Sequence, residues 1–200
     1  MFRLVYLVMG YKHNKEIILE TGYHVLRKNG YHKVGINEIL KEAGIPKGSF
    51  YNFFESKEDF TVQVIQQYGR SNRQWIEEFF QQEMSPLALI KAFYKHLIDI
   101  NEQDDYASGC LVNARSNDTV RRYDILDKAS NDSFESWIEV IAGIIKKGQD
   151  SGEITKEHTA KELAEFLHTG MYGTFARMKV TRSRQFMDQW FDMSMKFIEG

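Results

Sequence analysis

The chain has 200 residues, of which 42% are hydrophobic and 27% are charged. These values are ordinary for a globular protein and exclude disorder as the main state. The net charge of −2 provides no general affinity for nucleic acid, but residues 1–60 carry 9 Lys/Arg against 7 Asp/Glu, whereas the remainder carries 17 against 21. This mild asymmetry permits a nucleic-acid-binding part near the amino end without demonstrating one.

The cysteine content and the first residues bear on the cellular compartment. Cys110 is the single cysteine, so an intramolecular disulfide is impossible, which fits a reducing cytoplasm. The opening MFRLVYLVM is apolar but too short to cross a bilayer, and it lacks the cleavage site of a signal peptide. We expect either that the native chain begins at Met9 or that this segment extends the first helix. No association with a membrane is expected.

Helical periodicity runs through almost the whole chain, and no stretch alternates as a strand does. We therefore expect an all-α fold of about nine helices. In chain order they cover about 12–28, 37–42, 47–53, a long helix from 57, 86–101, 110–114, 119–149, from 155 or 158 to 179, and 184–198. Gly30 and Gly44 are expected to end helices, and Ser56 to cap the long one. A boundary inside that long helix divides the chain into domains 1–57 and 58–200, without a flexible linker.

The segment 34–60, VGINEILKEAGIPKGSFYNFFESKEDF, has the pattern of a helix-turn-helix: two short helices joined by a tight turn at Gly44. The positions expected to face inward are Ile36, Ile39, Leu40, Ile45, Phe50 and Phe53. The positions left on the exposed face of the second helix are Lys47, Gly48, Ser49, Tyr51 and Asn52. Such a face can hydrogen bond with base edges or phosphates in a major groove. The alternative is that Gly44 merely makes a turn in a helical bundle.

This segment resembles the signature of the TetR family of transcriptional regulators. The resemblance rests on an apolar helix ending in glycine, an isoleucine in the next helix, Gly-Ile-x-x-Gly-x-Phe-Tyr-x-Phe-Phe over 44–54, and a lysine two residues after Glu55. It is strong over residues 12–60, and the length and helical plan extend it over the chain. Leu40 departs from the pattern, because the family usually places alanine there.

The resemblance implies a repressor that binds double-stranded operator DNA as a homodimer. Asn37 would cap the first motif helix and contact phosphate, while Tyr51 and Lys57 would clamp the DNA backbone. The positions that approach the groove would be Lys47, Gly48 and Ser49. Those that carry any reading of the base sequence would be Lys47, Ser49 and Asn52.

Residues 60–200 contain no catalytic constellation. The six histidines lack metal-ligand spacing and are expected at the surface or capped, and neither a Gly-rich phosphate loop nor a Gly-x-Ser-x-Gly elbow occurs. We expect no enzymatic activity, metal or cofactor. Aromatic residues recur at helical spacing and form either plain core or the lining of a cavity for a small apolar or aromatic effector. The residues of that cavity would be Phe93, Trp137, Tyr172 and Phe175.

Cys110, in ASGCLVNARSND, follows Gly109 at a predicted helix start, where a helix amino end lowers the pKa of a thiol. The stretch resembles the Ser-Gly-Cys-Leu segment of TetR relatives that control detoxification of N-ethylmaleimide-like electrophiles, and a shorter match surrounds Lys179 and Arg182. Two interpretations stay open. Cys110 is either an inert buried residue or a reactive sensor whose thiolate Lys179 stabilises.

The last two predicted helices carry more apolar surface than one bundle face needs. This favours a two-fold four-helix interface between copies of the chain, the alternative being an intramolecular core. The expected interface residues are Phe166, Gly170, Trp190 and Phe197. A competing function from another class is a helical small-molecule carrier or bundle enzyme whose first three helices are scaffold and do not bind DNA.

Overall fold

The computed structural model describes residues 15–103, 111–112 and 124–199, apart from the side chain of Ser49. These residues form helices and turns without a strand, which confirms the all-α prediction. The helices are α1 (Lys15–Asn29), α2 (Ile36–Ala43), α3 (Lys47–Phe50), α4 (Lys57–Phe79), α5 (Pro86–Gln103), α6 (Asp124–Ser151), α7 (Ala160–Thr181) and α8 (Gln185–Glu199). Of the predicted helix at 110–114, only Leu111 and Val112 are described; both are helical and buried.

The first three helices pack onto the amino-terminal part of α4 around a shared apolar core. The core includes Ile18, Leu26, Ile39, Phe50 and Phe60, all buried. Because α1 contacts α2 and α4, and α2 contacts α3, the four elements support one another. The helix-turn-helix segment is therefore held in place by apolar burial.

The long helix α4 continues from this head into the second half of the chain, where it packs extensively against α6. The two helices come close at Gly69, where an added Cβ would lie 2.5 Å from Ser133 Oγ. There Trp137 Nε1 donates a hydrogen bond of 2.9 Å to Gly69 O. Since α6 also packs against α5 and α7, it forms the centre of the second half. The predicted boundary at residue 57 coincides with the start of α4 and stays a prediction.

Side-chain caps mark the starts of three helices, and before α5 Ser85 Oγ accepts from Ala88 N at 3.4 Å. Ser56 Oγ accepts from Asp59 N at 3.1 Å, as its place before the acidic first turn of α4 predicts. Thr159 and Glu162 form a reciprocal capping box that starts α7 at Ala160. The sequence predicts a start at residue 155 or 158, and the cap at Thr159 puts the first helical residue later, at Ala160.

Several helices are long, and α6 reaches 28 residues. None in the described part of the chain is both long and apolar enough to cross a membrane.

Candidate functional site

The turn between α2 and α3 depends on Gly44. This residue ends α2 in the left-handed region, at φ 66°, where a side chain would be strained. Its N–H donates to Lys41 O and that of Ile45 to Leu40 O, so the last carbonyls of α2 are satisfied. Pro46, at φ −65°, then leads into α3. The predicted reversal therefore lies where the sequence places it.

Three phenylalanine rings fix α3 against α4. The ring centroids of Phe50 and Phe54 are 5.0 Å apart, those of Phe54 and Phe60 5.0 Å, and those of Phe50 and Phe60 5.5 Å. All three rings are buried. Phe53, which the sequence analysis placed inward, is half-buried, and Phe54 takes the deeper position.

The remaining positions of α3 and the turn that follows it form an open polar surface. Tyr51 is 54% exposed, and Lys47, Gly48 and Asn52 are exposed with it. A Cβ added at Gly48 would meet nothing within 4 Å, so the backbone there is open to a close approach. The surface offers an ammonium, a phenol, an amide and free backbone, which are the groups that phosphates and base edges bind. The side chain of Ser49 lies outside the described part.

Asn37 is not the cap of α2. The helix begins at Ile36 with Gly35 as its amino-terminal cap, and no side chain bonds to the first turn there. Gly35 has an extended backbone, φ −95° and ψ 155°, and its carbonyl accepts from Glu38 N and Ile39 N. Asn37 lies one position inside the helix and is exposed, so it remains free to contact a phosphate.

Lys57 lies at the amino end of α4, as predicted, but it is engaged within the head. Its Nζ donates to Tyr31 O at 2.5 Å and lies 4.1 Å from the centroid of the Tyr31 ring. Tyr31 Oη in turn donates to Glu58 Oε1 at 2.9 Å. A backbone hydrogen bond and this phenol lower the pKa of Glu58, which keeps the carboxylate charged. Lys57 and Glu58 thus tie the α1–α2 connection to α4.

A cavity of about 370 Å³ lies between the helices of the second half. Phe93, Trp137, Tyr172 and Phe175, the four residues named from the sequence, all line it. Three of them are buried, and Tyr172 is half-buried. Most of the other lining side chains are apolar or aromatic, as expected of a site for a small organic molecule.

His168 is one of the residues that line this cavity. The residue is 6% exposed, and its Nε2 is buried with no hydrogen-bond partner among the described residues. Its ring centroid lies 4.6 Å from Tyr172, 5.3 Å from Phe134 and 6.1 Å from Trp137. Burial lowers its pKa to about 4, so the imidazole is neutral at neutral pH. The prediction of a surface or capped histidine is therefore wrong for His168. The available signal was its helical spacing with Ala164 and Phe175, both buried.

The cavity also reaches the DNA-binding head, because Tyr23 and Arg27 of α1 line it. The Tyr23 ring stacks on Tyr68 of α4, with centroids 5.0 Å apart and planes at 20°. Tyr68 meets Trp137 of α6 edge-on at 5.9 Å. Arg27 Nη1 donates to Tyr23 Oη at 3.2 Å. A continuous aromatic contact therefore joins α1 to the cavity wall.

The predicted sensor pair is only partly described. Cys110 lies outside the described residues, so its approach to Lys179 stays a prediction. Lys179 is exposed in the last turn of α7. Leu111 and Val112, which follow Cys110, are buried, so the chain is packed immediately after it.

Of the four residues expected at the dimer interface, two contact each other within one chain. A Cβ at Gly170 would lie 2.3 Å from Trp190 Nε1, and the Trp190 ring centroid is 5.2 Å from Tyr94 of α5. Gly170 and Trp190 thus contact each other within one chain, because the small residue makes room for the large ring. Phe166 and Phe197 remain outward, 46% and 45% exposed, with ring centroids 5.2 Å apart. Met193, 73% exposed, lies on the same helix as Phe197.

The chain combines a helix-turn-helix that has an open polar surface with a helical half that contains an aromatic-lined cavity, and a long helix joins the two. This combination defines a DNA-binding regulator that senses a small molecule. The family model "Bacterial regulatory proteins, tetR family" matches residues 18–64, and "Tetracyclin repressor-like, C-terminal domain" matches residues 86–193. The second match covers more than half of the chain, so the chain belongs to the TetR family. It is a transcriptional repressor of this type, not an enzyme, and regulators of this family bind operator DNA and act as dimers with small-molecule effectors.

Individual relatives support the assignment at modest identity. The repressor DhaR of Mycobacterium sp. (strain GP1) is 29% identical, over 88% of this chain and 87% of that protein. The repressor NemR of Escherichia coli (strain K12) is 26% identical, over 84% of this chain and 85% of that protein. The crystal structure of regulatory protein TetR from Rhodobacter sphaeroides matches with a TM-score of 0.83 and 26% identity, covering 92% of this chain and 97% of that one.

Proposed function

We propose that the chain represses transcription as a homodimer that grips operator DNA through the α3 surface, and that a small molecule in the cavity releases it. One observation carries this proposal: the cavity is lined by Tyr23 and Arg27 of α1 as well as by helices of the second half. An occupant therefore touches the head directly. Since α1 packs on α2 and α2 on α3, a shift of α1 moves the surface that reads DNA.

The DNA contacts divide into two kinds. Lys47, Ser49 and Asn52 enter the major groove and carry the sequence reading, with the open backbone of Gly48 beside them. Asn37 and Tyr51, together with Lys57, hold phosphates and set the register. Lys57 lies at the amino end of α4, where its Nζ also donates to Tyr31 O.

The homodimer forms through the outward face of α7 and α8, which we define as Phe166, Met193 and Phe197. These side chains are large, apolar and exposed, and the Phe166 and Phe197 rings are already in contact. A two-fold axis through this face brings two copies of each helix together. Exposed apolar clusters of this kind mark interaction surfaces.

DNA binding by the full chain is tested with a fragment from upstream of its own gene, measured by fluorescence anisotropy against an unrelated fragment. We expect specific binding, and Lys47→Ala weakens it and lowers the log–log salt slope by about one unit. The matched control is Lys147→Ala, on an exposed part of α6, which leaves affinity and slope unchanged. A chain that binds neither fragment contradicts the proposal and favours a small-molecule carrier.

Cys110 provides a second trigger in this proposal. Its modification by an electrophile adds bulk next to Leu111 and Val112, which are buried, so neighbouring helices have to move. The resemblance to NemR over most of the chain supports this reading. The test compares alkylation rate against pH, and DNA release after alkylation, for the native protein and Cys110→Ser. A thiol pKa of about 8.5, or equal release from the serine variant, contradicts the sensor role.

A further inference from the structure

The geometry points to a neutral, flat aromatic compound with a hydroxyl group as the ligand of the cavity, held through that hydroxyl by His168. The inference rests on the proposed function only in taking this cavity as the effector site. It adds the chemical class of the ligand and the residue that selects it.

The size and lining of the cavity set the shape of the ligand. An engineered protein cavity of about 150 Å³ holds one benzene molecule. The cavity here, at about 370 Å³, has room for a larger ring system such as two fused rings. Trp75, Phe93 and Trp137 contribute aromatic surface to its walls. Offset or edge-on contacts with these rings favour a flat aromatic occupant over a branched aliphatic one.

The need for a hydroxyl comes from His168. A buried polar atom without a partner is unfavourable, and Nε2 of His168 is such an atom in a residue that is 94% buried and lines the cavity. Phe134, Trp137 and Tyr172 surround the imidazole ring with aromatic faces and edges. A hydroxyl both donates and accepts, so it pairs with Nε2 in either neutral tautomer.

The mostly apolar and aromatic walls of the cavity favour a neutral ligand over an ionic one. Among its described lining residues Arg27 alone carries a charge, and its guanidinium donates to Tyr23 Oη and lies 5.7 Å from the Tyr23 ring centroid. A buried carboxylate needs a charged partner and further hydrogen bonds, and Arg27, the one charged lining residue that the structure describes, already donates to Tyr23 Oη. A cation would be repelled by Arg27 and would find no carboxylate among the described lining. Burial keeps His168 itself neutral, with a pKa of about 4.

The test is a cycle of ligand and protein changes, measured by equilibrium dialysis on the full chain. The probes are 2-naphthol, 2-methylnaphthalene, which lacks the hydroxyl, and 2-naphthoate, which is anionic. For the native protein we expect 2-naphthol to bind about fivefold to tenfold more tightly than 2-methylnaphthalene, and 2-naphthoate most weakly. In His168→Leu and His168→Phe the preference for the hydroxyl falls to about one, while 2-methylnaphthalene still binds.

DNA affinity is measured on the same samples, which shows that each variant is folded. The inference is overturned by an unchanged hydroxyl preference in both variants, by tighter binding of 2-naphthoate, or by a native protein that binds DNA and none of the probes. If 2-naphthol shows the expected preference, and the His168 variants lose it, but its binding does not release DNA, the inference about the ligand is supported. The same result contradicts the effector role of the cavity under the proposed function. The two ideas can thus fail separately.

Discussion

At the scale of single residues, His168 links the stability of the fold to pH. Its lowered pKa, about 4 against an ordinary 6.5, means that the unfolded chain binds a proton that the folded chain rejects. Stability is therefore fully present above pH 6.5 and falls as the pH drops from 6.5 towards 4. The described rings around it, those of Phe134, Trp137 and Tyr172, offer no charge to offset this.

We expect the free energy of unfolding of the native protein to fall with acid more steeply than that of His168→Phe. The difference between the two profiles reaches on the order of 2 kcal/mol by pH 5. Urea denaturation at pH 7.5, 6 and 5 measures it, and the variant removes the contribution of this one group while the other histidines stay. Parallel profiles for the two proteins would show that His168 is protonated as readily in the folded state.

Tyr51 provides a residue-scale test of the DNA surface. Tyr51→Phe removes only the hydroxyl and keeps the ring beside Phe50, whose centroid lies 5.4 Å away, so the fold is retained. Loss of one hydrogen bond lowers operator affinity by about fivefold. The salt slope stays the same because no charge is removed, in contrast to Lys47→Ala. Unchanged affinity in Tyr51→Phe would remove this residue from the interface.

Residue roles could be predicted from the sequence where one pattern fixes both the backbone and the burial. Gly44, Phe50 and the exposed Tyr51 all lie where the helix-turn-helix pattern places them. The family resemblance implies that Asn37 caps α2, but Gly35, with its extended backbone, occupies that position. His168 was misplaced because a histidine is polar by type, and only its position on the apolar face of α7 reveals the burial.

At the scale of helices, the sequence predicts those helix ends that carry a local capping signal. It does not predict which helices pack against each other. Ser56 before an acidic turn marks the start of α4, and the Thr159–Glu162 spacing is an equally local signal for the start of α7. The partner of Trp190 had no such signal. Helical spacing shows that a side chain lies on an apolar face, but whether Gly170 of the same chain or a second copy covers it is decided by tertiary packing.

The Gly170–Trp190 contact predicts the effect of a single methyl group. Gly170→Ala places a Cβ 2.3 Å from Trp190 Nε1, and the large ring is already packed on Tyr94, so the fold loses about 1–3 kcal/mol. The matched control is Gly143→Ala, within α6, where the new Cβ meets nothing within 4 Å and better helix propensity adds about 0.5–1 kcal/mol. Urea denaturation of both variants tests this, and equal shifts would contradict the close contact.

At the scale of the whole molecule, the helices of the second half form one structure that surrounds the cavity and reaches α1. The four cavity residues could be named from the sequence because aromatic side chains at helical spacing on different helices converge in a bundle. The contribution of Tyr23 and Arg27 to the cavity could not be predicted from the sequence. It depends on how α1 packs against α4, and no local sequence pattern specifies that packing. That arrangement lets a ligand in the cavity touch the DNA-binding head without an intermediate element.

The exposed apolar face of α7 and α8 predicts that two molecules form a dimer through it. Phe166 and Phe197 are each about half exposed in the single chain, so covering them in a two-fold interface stabilises it by about 1 kcal/mol per ring and copy. We expect a dimer at micromolar concentration in sedimentation equilibrium, and mostly monomers for the double variant Phe166→Asp, Phe197→Asp, since buried carboxylates lack partners there. Met84→Asp is the control: Met84 is 45% exposed, in the turn between α4 and α5, and its substitution leaves the dimer intact. A native monomer, or a double variant that remains dimeric, would place the interface elsewhere or remove it.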